Sequence, residues 1–187
     1  GIYNNAGALA ISGGAIAYNE ASQNGGGIHI HAGTLTMNQN NNAYTSIDHN
    51  KATSGNGGGI YTEVGLSLPA MTISNNEATD GGGLWTKSST ITSLQGTAFS
   101  NNTATGNGGG IYNNGTLNCT GVAQMSVQGN TATGNGGGFY NRGTLNLSGT
   151  GAKTFTGNTA TGDGGAIWTS TGGTLTNCTI GGSGSAN

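Results

Sequence analysis

Charge is what this chain of 187 residues most lacks. It has four Lys plus Arg and six Asp plus Glu, 5% of the residues, for a net charge of −2. So few cations cannot line a phosphate-binding surface, so no nucleic-acid partner is expected. Six carboxylates leave little for acid–base work. A polysaccharide lyase needs clustered carboxylates and a basic residue in a groove, and the one arginine is Arg142. No enzyme is expected. Long apolar runs are missing as well, so no membrane span is expected. No helical period lasts the length a helix needs, and 40 glycines would interrupt any helix.

What the chain does have is a repeat. An aliphatic or Phe residue follows a glycine run at Ile2, Ile28, Ile60, Leu84, Ile111, Phe139 and Ile167, at spacings of 24 to 32 residues. A second apolar site lies at Leu9, Leu35, Leu66, Ile91, Leu117, Leu145 and Leu175. A third is an apolar residue followed three later by Asn. The pairs are Ile16/Asn19, Ile47/Asn50, Ile73/Asn76, Phe99/Asn102, Val127/Asn130 and Phe155/Asn158. An Ala always comes two residues after that Asn.

Alternation within each segment, as in Leu35-Thr36-Met37, is strand-like. Disordered tracts do not keep three apolar registers through six copies. The reading is all-β: a single right-handed parallel β-helix over residues 1–187, three-sided, with about seven coils of about 27 residues stacked at about 4.8 Å. Like residues of successive coils then pile into files. Asn19, Asn50, Asn76, Asn102, Asn130 and Asn158 form an internal amide ladder, with Asn accepting the left-handed backbone of the turn. Cys119 and Cys178 fall at nearly the same inward site two coils apart. That is about 10 Å, beyond disulfide reach, so both read as small buried residues. Residues 38–46 are an insertion and the expected protruding loop, while Pro69 falls at a tolerable turn position.

The GG-x-aliphatic motif (GGGI at 57–60 and 108–111, GGAI at 164–167) and the apolar-x-x-Asn motif (FSNN at 99–102, FTGN at 155–158) resemble the repeats of chlamydial polymorphic outer membrane proteins and related bacterial surface β-helices. That resemblance implies an extracellular or cell-surface location and a role in adhesion or a surface coat. It brings no catalytic motif and no cofactor. The chain opens and closes inside the pattern, and neither end reads as a polar cap. The expectation is a non-enzymatic structural protein: a filament subunit joined end to end with its own copies, or a section of a surface adhesin.

With the anchor residues inward, the next residues point out. They form an aromatic column of Tyr3, His29, Tyr61, Trp85, Tyr112, Tyr140 and Trp168, a candidate face for glycans or lateral packing. The following column is Asn5, His31, Glu63, Lys87, Asn114, Arg142 and Ser170. In it His29, His31 and Glu63 meet, but a bare His-x-His is a weak metal signal and Lys87 stands on the far side, so no metal is expected. Glu20, Lys51 and Glu77 form a surface column that Lys51 neutralises, and Asp48-His49 has no nucleophile placed for it. Thr103/Thr105, Thr131/Thr133 and Thr159/Thr161 would give two outward ranks of Thr. Five sequons, at Asn101, Asn114, Asn118, Asn146 and Asn177, are no more than the Asn, Ser and Thr content yields by chance. They remain candidate glycosylation sites. The runner-up functions are a carbohydrate-binding or carbohydrate-active β-helix and, after it, an ice-binding one.

Overall fold

A computed structural model describes residues 1–38, 45–88, 90–122 and 124–181. Most of the insertion expected at 38–46 therefore lies outside the described residues. The chain winds as a parallel β-solenoid, its strands pairing in parallel with the equivalent strands of neighbouring turns. Six complete turns and part of a seventh are formed, close to the expected seven. Among the described residues no helix is long and apolar enough to cross a membrane.

Each turn has four strands rather than three. The first sheet has seven strands: Ile2–Asn4, Ile28–Ile30, Ile60–Thr62, Leu84–Thr86, Ile111–Asn113, Phe139–Asn141 and Ile167–Thr169. On the second side a pair (Ala8–Ser12, Thr34–Asn38) precedes a five-stranded sheet from Leu66–Leu68 to Gly173–Leu175. The third sheet has seven strands, from Gly14–Ala17 to Cys178–Ile180. The fourth has six strands of two residues, from Glu20–Ala21 to Thr159–Ala160. The Ala after each ladder Asn is therefore strand, not the apex of a bend. It points inward: Ala52, Ala78, Ala104 and Ala132 are all buried.

The anchors form the core as expected. Ile28, Ile60, Leu84, Ile111 and Phe139 from the first sheet are fully buried, as are Ile47, Ile73, Phe99, Val127 and Phe155 from the third. Each such side chain contributes about 1.5–3 kcal/mol by leaving water. On the second side two residues stand elsewhere than expected. Thr92, not Ile91, pairs with Leu66 and with Leu117. Leu175 pairs with Leu147, and Gly173 takes the place opposite Leu145. Matching by apolar type points to Ile91, but the pairing continues the register of the flanking strand, and an inward Thr92 is the consequence. Its hydroxyl is buried without a partner.

Two ladders run along the axis, the first of them buried. Asn50 Nδ2 donates to Asn76 Oδ1 at 3.0 Å, Asn76 to Asn102 at 3.0 Å, Asn102 to Asn130 at 3.0 Å and Asn130 to Asn158 at 2.9 Å. Each amide also donates to a backbone carbonyl of the preceding turn, as Asn102 Nδ2 does to Ile73 O at 2.9 Å. These Asn are not the left-handed residues. The residue just before each one is: Tyr18, His49, Asn75 and Asn101 have φ of 51–56°, with Gly129 and Gly157 at 64° and 63°. The ladder Asn must hold an extended backbone so that its own N–H reaches the next Oδ1, so the bend moves one residue earlier.

The second ladder was not read from the sequence. Asn24, Asn56, Asp80, Asn107 and Asn135 each accept, through Oδ1, the backbone N–H of the same position one turn later, at 2.6–3.2 Å. The signal was present: the glycine runs before Ile28, Ile60, Leu84, Ile111, Phe139 and Ile167 are each preceded by Asn or Asp. The first glycine of each run (Gly25, Gly57, Gly81, Gly108, Gly136, Gly164) has φ of 63–69°, conformations that glycine adopts without strain.

Cys178 departs from its expected place. It lies in the third sheet opposite Lys153, whereas Cys119 follows the second-sheet strand Thr116–Asn118. Both are free thiols, Cys119 buried and Cys178 partly so. Lys153 itself is fully buried, its ammonium donating to Gly149 O and to Thr176 O.

Candidate functional site

Among the described residues, the first sheet carries an outward file of aromatic side chains beside a charged column. A strand sends alternate residues to opposite faces. With Ile28, Ile60, Leu84, Ile111 and Phe139 committed to the core, the residue after each must face outward. The strand register puts these residues in one file: Tyr3 opposite His29, His29 opposite Tyr61, Tyr61 opposite Trp85, Trp85 opposite Tyr112, Tyr112 opposite Tyr140 and Tyr140 opposite Trp168.

The rings touch without a break. Tyr3 and His29 meet edge to face at 4.9 Å, and His29 and Tyr61 likewise at 4.7 Å. Tyr61 stacks on Trp85 at 4.4 Å and 7°, and Tyr140 on Trp168 at 4.3 Å and 5°. Trp85, Tyr112 and Tyr140 continue the file at 6.0 and 4.7 Å. The column points outward as expected, yet it is less open than expected. Tyr61 and Tyr112 are only 9% and 7% exposed, because each is covered by the ring on either side. Ring faces are consumed by neighbouring rings, and the file offers solvent mainly ring edges. Burial raises the hydroxyl pKa of Tyr61 and of Tyr140 above the ordinary tyrosine value.

Beside the aromatic file runs the charged column, also in register. The backbone N–H of Glu63 donates to Ile30 O, that of Lys87 to Thr62 O and that of Arg142 to Asn113 O. Glu63 is its centre. Glu63 Oε1 lies 3.3 Å from His29 Nε2 and 2.9 Å from His31 Nδ1, and Oε2 accepts from Lys87 Nζ at 2.6 Å. Burial alone would raise the Glu63 pKa. The bonds from His31, Lys87 and His29 outweigh it and hold the carboxyl down at about 2.

The other candidates stand apart. Glu20, Lys51 and Glu77 are register partners on the fourth sheet, with Lys51 Nζ 2.8 Å from Glu77 Oε1. Asp48 accepts from Ser74 Oγ at 2.7 Å and Asn75 Nδ2 at 2.9 Å, with His49 Nδ1 at 2.6 Å. Ser74 donates to the carboxylate and not to the imidazole, so this trio is not a nucleophile relay. Thr103, Thr131 and Thr159 are exposed and in file, and the rank meets Glu77 one turn earlier. Among the sequons, Asn118 and Asn146 are half-buried register partners, Asn114 is half-buried, and Asn101 and Asn177 are exposed at bends with φ of 55° and 53°.

Four stretches, residues 39–63, 96–114, 124–142 and 154–170, match the Chlamydia polymorphic membrane protein repeat. No curated protein and no solved structure matches the chain. The repeat is that of a family of surface-exposed outer-membrane proteins, in agreement with the cell-surface location expected from the sequence.

Proposed function

From a β-solenoid carrying polymorphic membrane protein repeats, we propose that this chain is a length of a surface-displayed, non-enzymatic rod that works by contact. The seven-ring file on the first sheet is its contact face. The observation that carries this reading is the unbroken ring-on-ring packing from Tyr3 to Trp168 on an outward face. Its edge-on presentation favours one kind of partner. A sugar ring stacks on an aromatic face, and these faces are occupied. A flat protein surface, such as the side of a second rod or an adhesin's receptor, can lie against a ribbon of ring edges and bury apolar area along its length. The ionisable groups support contact over chemistry, because those around Glu63, Asp48 and Glu77 are tied up in pairs with one another.

The test is binding by single variants of the two tryptophans, large rings of the file that are only partly buried. Trp85→Ser and Trp168→Ser should abolish lateral self-association in sedimentation velocity, or attachment of the protein to cultured cells. Tyr112→Phe, at a covered ring, should leave both intact. Wild-type binding by both Trp variants, with unchanged far-ultraviolet circular dichroism, would rule the face out. Tight binding on a glycan array lost with Trp168→Ser would favour the carbohydrate reading instead.

A further inference from the structure

We propose that His29, His31 and Glu63 form a binding site for a divalent transition metal of the zinc class, bridging two consecutive turns of the solenoid. A strand sets residues i and i+2 on one face, so His29 and His31 project together from the end of Ile28–Ile30. Register brings Glu63 level with His31 one strand away and diagonal to His29, its N–H bonded to Ile30 O at 2.9 Å.

The donor atoms converge. One carboxylate oxygen lies 3.3 Å from His29 Nε2 and 2.9 Å from His31 Nδ1, and all three ligand atoms fall within 4.8 Å of one another. Ligands at about 2.0–2.1 Å from a tetrahedral zinc stand about 3.3 Å apart, so the ion can replace the imidazole–carboxylate bonds with small side-chain adjustments. Two imidazoles and one carboxylate suit zinc, nickel or copper. Calcium and magnesium seek six or more oxygens.

The ligands are also held in place. The His29 ring is fixed edge-on between Tyr3 and Tyr61. Lys87 grips Oε2 at 2.6 Å and turns Oε1 toward the imidazoles. On sequence alone Lys87 counted against a metal, but its contact is with the oxygen that faces away from both His. Three protein donors leave a tetrahedral ion one open position. It lies on the side of half-exposed His31 and can take water or a donor from outside.

Zinc alone is the probe, added to the purified chain and followed by isothermal titration calorimetry, with cobalt absorption as a second readout. One equivalent should bind, and the cobalt form should show a four-coordinate visible spectrum. His31→Ala and Glu63→Gln should each weaken binding at least about tenfold while the metal-free circular dichroism stays that of wild type. His49→Ala, whose imidazole stands on another face, should bind as wild type does. No uptake of zinc at micromolar concentration overturns the site, and so does unchanged affinity in both ligand variants. Because the readout is metal uptake, its failure leaves the aromatic contact face untouched, and the reverse holds too.

Discussion

Asn102→Ala tests the physical core of the structure most directly. Asn102 is fully buried at the middle of the amide ladder. Its side chain donates to Ile73 O at 2.9 Å and Asn130 Oδ1 at 3.0 Å, and it accepts from both the backbone N–H and the Nδ2 of Asn76, each at 3.0 Å. Alanine deletes all four bonds. Asn76 Nδ2 keeps Ile47 O, and Asn130 Oδ1 keeps the Asn102 backbone N–H. The backbone N–H of Asn76 loses its side-chain acceptor inside the protein, where water cannot replace it.

At about 1 kcal/mol for each of three lost bonds, with about 1–3 kcal/mol for the fourth, whose loss leaves the buried Asn76 N–H unsatisfied, the expected loss is about 4–6 kcal/mol. Asn19→Ala is the internal control. Asn19 is only part-buried, and its side chain donates to Ala17 O and Asn50 Oδ1. Its removal should cost about 1–2 kcal/mol, because neither bond is fully buried and no buried donor is orphaned. Urea denaturation followed by tryptophan fluorescence measures both, with circular dichroism as a check that both probes report one transition. Asn102→Asp should fall as far as Asn102→Ala, since a carboxylate cannot donate to Asn130 Oδ1. If Asn102→Ala loses no more than Asn19→Ala, the ladder is a by-product of stacking and the reasoning fails.

Other outcomes follow from single contacts. A Cβ added at Gly110 would stand 2.6 Å from Gly138 O, whereas one at Gly7 meets nothing within 4 Å. Gly110→Ala should therefore cost about 3 kcal/mol in urea denaturation, and Gly7→Ala about 1 kcal/mol, from its left-handed backbone alone. Burial would raise the Asp48 pKa, but bonds from Asn75, Ser74 and His49 prevail and lower it below the ordinary 3.8. A lowered carboxyl contributes stability above its unfolded pKa, so that stability should fade as the pH drops below about 3.8 toward the folded value. Asp48→Asn should flatten this acid limb of a thermal-midpoint profile. Lys153→Met keeps the volume and removes a buried charge, so the thermal midpoint should hold or rise. Lys153→Ala, which leaves a hole, should lower stability by about 2–4 kcal/mol.

The candidate site was partly legible. The aromatic file could be placed residue by residue because it follows the anchors at a fixed offset, and the anchors are the clearest signal in the chain. What could not be read was how much of each ring is covered. Coverage depends on whether neighbours stack face to face, as Tyr61 and Trp85 do, or edge to face, as Tyr3 and His29 do. Ring tilt is a matter of side-chain torsion and leaves no trace in spacing. The convergence on Glu63 was legible as proximity and not as geometry. That one oxygen faces two imidazoles while the other takes Lys87 follows from the carboxylate's rotation.

Repetition alone determined that this chain winds as a stack of parallel turns with Asn, aliphatic and aromatic files. A residue type recurring at one place in every copy has a single economical explanation, contact with its own image one strand spacing away. Only the tertiary structure decided the number of sides, the residue that bends, and the register of the second side at Thr92 and Gly173. Those depend on where each backbone N–H finds its acceptor, and that choice is made between turns, by geometry no single copy of the repeat contains.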